Sequence, residues 1–417
     1  MRILLWHGYL LGGTGSNVYT RALALEWSRA GHEVVLVCQE RAPEHFDLGS
    51  AQVIVPDLPG GLLPVFVLDR YAGLEPRLLQ EFTAAERHAY VDANAGALRE
   101  LLPADLVFTN HVLLGGPVGA ATGERFRVKA HGSELEYSMR GRPELEQWGR
   151  EALAQAEATF VGSQHIREVL EEVVGHIDRV FEVPPGVDVD EFRFQPRDEA
   201  LPARIAEAQR DRPNPGNASE RLPDAGNAAR LAEFLAGDEP TVVFFGKLIE
   251  QKGVQMLLEA MRHIDARLVI VGFGPYRPEL ERLAPPRTLF TGPLEHRHLV
   301  YLLPLADVTV VPSIFPEAFG MVAAEAAAAG SPPLVARHSG LAEVAAGIEA
   351  ELPERLQHLV SFERGDAADL RRKLEAILAL PRADHDELRS SARRAVERRW
   401  SWAGVAARLL EPVHGPV

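Results

Sequence analysis

Short apolar segments alternate with helical segments along both halves of this 417-residue chain. Alternation of this kind is typical of parallel α/β sheets, in which a helix carries the chain from one strand to the next. The pattern predicts two doubly wound domains. Strands are predicted at Ile3–Trp6, Val34–Cys38, Val53–Val55, Leu106–Thr109, Arg127–Ala130, Thr159–Gly162, Val180–Val183, Thr241–Gly246, Arg267–Val271, Thr288–Thr291, Val308–Val311 and Pro333–Ala336.

The predicted domain boundaries lie where this alternation changes. Residues 1–190 are predicted to form an N-terminal domain and residues 240–397 a C-terminal domain, followed by a final helix over 398–417. Residues 195–239 fit neither half, because Gly216-Asn217 and Gly226-Asn227 are turn signals and Asn217 with Glu220 resembles a capping box. We expect short helices and turns there, inserted between the domains.

Composition excludes several classes of protein. A net charge of -15 argues against a broad nucleic-acid-binding face. Cys38 is the single cysteine, so an internal disulfide is impossible and a reducing, cytoplasmic location is expected. An apolar run of about 18 residues is missing, so we expect no membrane span. The Arg-rich C-terminal stretch leaves peripheral membrane contact open, and the oligomeric state is undetermined.

The segment from Ser313 to Val344 is the most informative about chemistry. Glu317 follows the predicted strand 308–311, and Glu325 lies eight residues later in an Ala-rich helix. The start of that helix, over residues 319–322, offers free backbone N–H groups and a positive dipole end that suit a phosphate. The two carboxylates are spaced to contact two sugars of one ligand. Taken alone, the segment fits equally well an amphipathic helix with two ordinary glutamates.

Two loops in the first half follow predicted strands. Gly12-Gly13-Thr14-Gly15 opens a helix, where glycines allow a ligand to approach the backbone, although the spacing is not that of a dinucleotide site. His131-Gly132 lies at the carboxyl end of a strand, which is where ligands bind in open α/β sheets. A structural histidine that caps the next helix is the alternative there.

Lysine is rare in this chain, with four residues against forty arginines, and two of the four follow the first strand of the second half. Lys247 and Lys252 together can neutralise a diphosphate. Gly272-Phe273-Gly274 follows the next strand and predicts a loop where a base or ribose lies close to the backbone. Asp188-Val189-Asp190 resembles a metal-binding motif, but its Pro-Gly context favours a turn-and-cap role.

Together, these segments resemble the large family of retaining, nucleotide-sugar-dependent glycosyltransferases of the GT-B fold, the glycosyl transferases group 1 and family four type. Seven matching segments occur in the family's order, and the resemblance covers nearly the whole chain except residues 195–239. It implies an α/β fold of two facing Rossmann-like domains with an interdomain cleft, and a final helix that crosses back to the first domain. Two departures stand out: position 247 is usually Arg, and the loop at Ser339-Gly340 usually has two glycines.

The resemblance also implies roles for individual residues. Lys247 and Lys252 would bind the donor diphosphate, Glu317 the transferred sugar and Glu325 the ribose, while His131 would lie near the reacting carbon. The implied catalytic residues are His131, Lys252 and Glu317, with no metal and no other cofactor. The implied donor-binding residues are Gly12, Gly13, Gly246, Lys247, Lys252, Gly272, Gly274, Phe319, Gly320, Met321, Val322 and Glu325.

The expected reaction is metal-independent transfer of a sugar from a nucleotide-diphosphate sugar to an acceptor hydroxyl, with retained anomeric configuration. The nucleotide sugar and an unidentified hydroxyl acceptor are the expected partners, without nucleic acid. A nucleotide-sugar epimerase or a phosphorylase on the same fold is one alternative, and a non-catalytic nucleotide-sugar sensor is another. The base, the sugar and the acceptor are not specified by the sequence.

Overall fold

The computed structural model describes residues 1–12, 15–68, 71, 73–212 and 222–413. Gly13 of the predicted donor loop lies outside the described residues, as do the turn at Gly216-Asn217 and the capping box of Asn217 with Glu220. The chain divides into two compact units. Unit 1 comprises Met1–Gly186 with Trp402–Val417, and unit 2 comprises Val187–Ser401.

Unit 1 contains, in the part of the chain that is described, a seven-stranded parallel sheet in the order β3-β2-β1-β6-β7-β8-β9. The central strands are buried on both faces, which explains their uninterrupted apolar sequences. The strand order reverses between β1 and β6, and the crevice outside such a reversal is where ligands bind in these sheets. The elements up to the end of this sheet are β1 (Arg2–Trp6), α1 (Gly15–Arg29), β2 (Glu33–Val37), β3 (Gln52–Ile54), β4 (Leu62–Val65), β5 (Glu75–Leu78), α2 (Ala84–Glu100), β6 (Leu106–Asn110), α3 (Gly116–Thr122), β7 (Phe126–Lys129), α4 (Pro143–Leu153), β8 (Ala158–Val161), α5 (Gln164–Val174) and β9 (Val180–Glu182).

Strands β4 and β5 form a separate small parallel pair in which Leu62 lies opposite Glu75. The sequence analysis did not predict this pair, because its strands carry prolines and lack the long apolar runs of the main sheet. It packs its buried side chains, Leu63 and Val65, into the core of unit 1.

Unit 2 contains, among its described residues, a six-stranded parallel sheet in the order β12-β11-β10-β13-β14-β15. Its order also reverses, between β10 and β13. The elements are α6 (Arg197–Gln209), α7 (Asn227–Phe234), β10 (Thr241–Phe245), α8 (Val254–Met261), β11 (Arg267–Val271), α9 (Arg277–Leu283), β12 (Thr288–Phe290), α10 (His296–Leu302), β13 (Val308–Val311), α11 (Met321–Ala328), β14 (Pro333–Ala336), α12 (Ser339–Glu349), α13 (Glu354–Gln357), β15 (Ser361–Phe362), α14 (Ala367–Leu378) and α15 (Arg382–Arg399).

The last helix, α16 (Trp402–Leu410), belongs to unit 1 although α15 before it belongs to unit 2. The Trp27 indole N–H of α1 donates to the Ala406 carbonyl at 3.0 Å, and Trp402 packs edge-on against Tyr19. Arg127 on β7 donates to the Leu409 carbonyl at 2.6 Å. These contacts complete the layer of helices on one face of the unit 1 sheet.

The strands predicted from sequence are all present, with ends within two residues of the predicted positions. Strand β15 was not predicted, because a two-residue strand is too short to give a periodic signal. No helix among the described residues is both long and apolar enough to cross a lipid bilayer.

Candidate active site

Three loops at the carboxyl edge of the unit 2 sheet approach one another so closely that glycine is required. Gly272 follows β11 with φ +146°, and a Cβ atom there would lie 1.8 Å from the Gly246 carbonyl oxygen. Gly274 has φ +154°, and its Cβ atom would lie 2.2 Å from the Leu248 carbonyl oxygen. L-residues rarely adopt such φ values, so these glycines are structurally required. The predicted donor-binding glycines 246, 272 and 274 therefore lie together.

Lys252 and Glu317, 65 residues apart in sequence, form an ion pair at the same edge. The turn that carries Lys252 ends at Gly253, where φ is +69° and a Cβ atom would lie 1.9 Å from the Pro312 carbonyl oxygen. That close approach brings the turn against the loop that follows β13. The Ser313 hydroxyl donates to Glu317 Oε1 at 2.5 Å, so this carboxylate is held from two sides.

Glu317 is also held through its backbone by the first residues of α12. The Glu317 N–H donates to Ser339 Oγ at 2.9 Å, and the Gly340 N–H donates to the Glu317 carbonyl at 3.0 Å. Ser339 has φ +46°, a conformation that glycine adopts more readily. Serine at this position, where the resembling family usually has glycine, therefore adds a hydroxyl that fixes Glu317.

Helix α11 begins beside Glu317, as the sequence predicts. Gly320 precedes its first turn with φ +115°, and a Cβ atom there would lie 2.6 Å from the Leu341 side chain. Met321 and Val322 are the first helical residues, so their N–H groups have no partner within the helix. Phe319 is buried and packs edge-on against Trp400, so its side chain serves packing and only its backbone is available to a ligand.

Glu325 lies on α11 with its side chain buried. Burial, aided by the nearby Glu191 carboxylate, raises the pKa of Glu325 to about 8. At neutral pH the carboxyl group is therefore mainly protonated. His296 Nε2 lies 3.5 Å from Glu325 Oε1, and the His296 ring packs edge-on against Phe192. Glu325 therefore has a donor and an acceptor oxygen to offer to a ligand hydroxyl.

Lys247 is exposed, and in the described part of the chain it forms no ion pair. It follows β10 by two residues, next to Gly246. The structure thus brings Lys252, Glu317 and the start of α11 together, while Lys247 lies on the loop at the same edge of the sheet without contacting them.

In unit 1, His131 follows β7 at the carboxyl edge of that sheet. Its Nε2–H donates to Asn110 Oδ1 at 2.8 Å, since the Asn110 amide nitrogen is itself engaged as a donor to the Trp6 carbonyl. Burial holds the pKa of His131 well below its usual value, with His111 and Lys129 contributing in the same direction. His131 is therefore neutral, and its ring lies in a row with those of His111 and Tyr19.

Glu134 was not among the predicted site residues, yet it holds the His131 loop. It is fully buried, and its carboxylate accepts from the His131 N–H at 2.9 Å, the Val112 N–H at 3.3 Å and His111 Nδ1 at 3.2 Å. Burial favours the protonated form, but His111 and these hydrogen bonds outweigh it and keep the pKa of Glu134 below its usual value. His111, which contacts Glu134, has a strained backbone with φ +72°. Strained residues of this kind cluster at functional sites.

Two other sequence features have structural roles. Gly12 accepts a hydrogen bond from Asn17, whose Oδ1 accepts in turn from His7 at 2.8 Å, so the described part of the glycine loop is tied to α1. The Asp188 carboxylate accepts from the N–H groups of Asp190 and Glu191 at 3.0 and 2.8 Å, which is the turn-and-cap role predicted for it.

No group of three or more His, Cys, Asp or Glu side chains among the described residues is arranged to hold a metal ion. Lys129, one of the four lysines, is buried and donates to the Val183 carbonyl at 2.6 Å. Burial, together with the nearby Arg408, lowers the pKa of Lys129 to about 7. It supports strand packing rather than a ligand contact.

This chain has two doubly wound sheets, each with candidate residues at its carboxyl edge. That is the architecture of GT-B proteins. Similar folds occur in sucrose-phosphate synthase from Thermosynechococcus elongatus, with a TM-score of 0.67, 21% identity and coverage of 98% of this chain and 97% of that one. Anabaena HepE, solved with UDP and glucose, gives a TM-score of 0.69 at 15% identity and covers 98% of both chains.

Sequence comparison gives the family. Residues 228–397 match the family model of glycosyl transferases group 1, and residues 13–191 match that of glycosyltransferase family 4. A D-inositol 3-phosphate glycosyltransferase of Xylanimonas cellulosilytica is 31% identical over 79% of this chain and 77% of the relative. A GDP-mannose-dependent mannosyltransferase of Mycolicibacterium smegmatis, named for phosphatidylinositol monomannoside, is 29% identical over 55% of this chain and 57% of the relative. The chain belongs to the group 1 glycosyltransferases, and the predicted family and fold class are confirmed.

Substitution of Gly340 by alanine should damage both stability and activity. The new Cβ atom would lie 2.4 Å from Phe319 Cα, so the backbone before α11 has to move. We expect a loss of about 2 kcal/mol in the free energy of unfolding and a large loss of transferase activity. Gly96→Ala is the matched control, because nothing lies within 4 Å of its Cβ position in α2 and the change should stabilise slightly. Normal activity and stability in Gly340→Ala would contradict the tight contact.

Substitution of Glu325 by glutamine should change how stability depends on pH. The pKa of Glu325 is raised from 4.5 to about 8 in the folded protein, so ionisation destabilises the fold progressively between those pH values. Glutamine does not ionise, and its advantage should grow across that window to on the order of 4 kcal/mol above pH 8. Urea unfolding at several pH values measures it, and equal stability below pH 4 is the internal control. Parallel curves for the two proteins would refute the raised pKa.

Proposed function

We propose that this glycosyltransferase moves a sugar from a nucleotide-diphosphate sugar to an acceptor hydroxyl with retention of anomeric configuration and without a divalent metal. The Lys252–Glu317 ion pair beside the start of α11 carries the proposal. It combines a cation suited to a diphosphate with a carboxylate suited to sugar hydroxyls. The pair lies within the segment that matches the group 1 family model.

Lys252 and the first N–H groups of α11 are assigned to the donor diphosphate. Negative charge develops on the diphosphate as the sugar leaves, and fixed cations and N–H groups stabilise such charge most effectively when they need no rearrangement. Lys252 lies on a tight turn and is paired with Glu317, so its ammonium group is fixed in position before a ligand binds. Lys247, exposed earlier on the same connection between β10 and α8, is assigned to the same diphosphate.

Glu317 is assigned to the hydroxyls of the transferred sugar and Glu325 to those of the ribose. Glu317 is held by Ser313 and by the Ser339 loop, so it can orient a sugar ring that gains positive charge in the transition state. Glu325 lies lower on α11 and is protonated at neutral pH before a ligand binds. Contact with ribose hydroxyls would stabilise bound nucleotide in the ground state as well as in the transition state.

His131 is assigned to the sugar that undergoes transfer. Its neutral ring is fixed by Asn110 and its loop by Glu134, so its other ring nitrogen, Nδ1, can accept a hydrogen bond without a change of charge. No carboxylate nucleophile is assigned, since the departing phosphate can take the proton of the acceptor hydroxyl. That assignment is consistent with retention by reaction on a single face of the sugar.

The decisive experiment is a coupled assay on the purified protein in the presence of EDTA. UDP-, GDP- and ADP-sugars are tested against a panel of acceptors that includes inositol phosphates, because the similar Xylanimonas protein is named for D-inositol 3-phosphate. We expect release of one nucleoside diphosphate for each glycosylated acceptor, with an α-linked product from an α-linked donor. Recovery of activity only after Mg²⁺ or Mn²⁺ is added would refute metal independence.

Other outcomes of this assay identify the alternative functions. A sugar 1-phosphate product would indicate a phosphorylase, and an isomerised donor without transfer would indicate an epimerase. Tight binding of a nucleotide sugar with no turnover would indicate a sensor.

The two lysines should differ in their tolerance to substitution. Lys252→Met should lower kcat on the order of a hundredfold, about 3 kcal/mol, because it removes charge where the leaving group becomes most negative. Lys247→Arg should retain substantial activity, since the resembling family usually has arginine there. Lys373→Met, on α14, is the control for loss of a lysine elsewhere in unit 2. Near-normal kcat and donor affinity in Lys252→Met would remove the main support for this mechanism.

A further inference from the structure

The segment between the two predicted domains has contacts that its sequence did not suggest. We define the insert as its described residues, 195–212 and 222–239, which contain α6 and α7. Both helices pack within unit 2, and α6 lies against α10. The insert therefore contacts the stretch from β12 to α10, at the carboxyl edge where the donor-binding residues are predicted.

The first contact runs from Asp224 to the donor-binding glycines. The Asp224 N–H donates to the Thr291 carbonyl at 2.9 Å, and its carboxylate forms a bidentate pair with Arg277 at 2.8 and 2.6 Å. Asp224 lies directly on Gly292, where a Cβ atom would come within 2.6 Å of Asp224 Oδ1. The Gly292 carbonyl in turn accepts from the Gly272 N–H at 2.9 Å. One residue therefore separates the insert from the predicted base-binding loop.

The second contact joins a buried charged group of α6 to α10. Arg204 of α6 is fully buried and donates to His298 Nδ1 at 2.9 Å, while His298 Nε2 lies 3.0 Å from Asp211 Oδ1. Burial, together with the Arg204 guanidinium, lowers the pKa of His298 to about 4, so the ring is neutral and able to accept from Arg204. Arg297, the residue before His298, donates to Asp211 Oδ1 at 2.7 Å.

Helix α10 is held at His298 by Arg204, and its first residue lies near Glu325, the predicted ribose-binding residue. His296 is two residues before His298, and its Nε2 lies 3.5 Å from Glu325 Oε1. A movement of α10 along its axis would therefore displace His296 from Glu325. The insert thus reaches the predicted nucleotide site by two separate routes, through Gly292 to Gly272 and through α10 to Glu325.

We infer that the insert positions the nucleotide-binding edge of unit 2, with Asp224 and Arg204 as positioning residues for donor affinity. Within the described part of the chain, neither residue forms a hydrogen bond or ion pair with a predicted donor-binding side chain, so each acts through the backbone or helix that it holds. The inference rests on the proposed nucleotide-sugar function. It gives the insert a function in substrate binding.

The test uses Asp224→Asn and Arg204→Lys in the 417-residue chain, with UDP, GDP and ADP as the binding probes. Asp224→Asn keeps the volume of the side chain and removes the charge that pairs with Arg277. We expect the Kd of the nucleotide bound by the wild type, and the donor KM, to rise about tenfold, while kcat stays within a factor of two. Hydrogen exchange should increase over residues 288–302 and stay unchanged in β13.

Asp384→Asn is the matched control, because it breaks an ion pair with Arg355, at 2.6 Å, outside the β12–α10 stretch. It should leave Kd and KM unchanged. Unchanged nucleotide affinity in folded Asp224→Asn and Arg204→Lys proteins would overturn the positioning role. A wild-type protein that binds none of UDP, GDP and ADP would instead refute the proposed function. If Arg204→Lys fails to fold, Asp224→Asn, whose side chain lies at the edge of the insert, decides the question alone.

Discussion

The close approach of backbone segments at the carboxyl edge of the unit 2 sheet is the constraint on which the candidate site depends. Gly253 and Gly272 each occupy a position where a single methyl group would overlap a carbonyl oxygen. Because these glycines have no side chain, the loops that follow neighbouring strands can pack closely together. Lys252 therefore meets Glu317 although the two residues follow different strands. The chemistry of the site is therefore specified partly by residues that have no functional group at all.

The two units fix their site residues in different ways. In unit 2 the side chains of the Lys252–Glu317 pair remain partly exposed, whereas the Glu325 side chain is buried. In unit 1 His131 is held by buried polar groups, with Asn110 bonded to its ring and Glu134 to its backbone N–H. A buried network of that kind resists rearrangement, because an unpaired member would lose its hydrogen bonds without gaining water.

Much of the fold follows from local sequence, because a doubly buried parallel strand needs an uninterrupted apolar run and the following loop has to start at its carboxyl end. The roles of Lys252, Glu317 and Glu325 stay predictions, but the positions of Lys252 and Glu317 in the loops after β10 and β13 could be predicted for that reason. Glu134 and Asp224 could not, since the roles of both depend on partners that are brought near only by folding: His111 for the first and Gly292 for the second. Glu134, three residues after His131, offered the one usable signal, a carboxylate close to a loop histidine. Strands β4 and β5 were not predicted from the sequence because prolines interrupt them.

The return of α16 to unit 1 has a consequence for how the protein is made. Unit 2 is continuous in sequence, whereas unit 1 lacks its last helix until all of unit 2 has been synthesised. Until then Trp27 and Tyr19 on α1 have no Trp402 and no Ala406 carbonyl to pack and bond against. This apolar surface of α1 therefore stays exposed while the roughly two hundred residues of unit 2 are synthesised. An exposed apolar surface on a nascent domain is a place where a chaperone can bind.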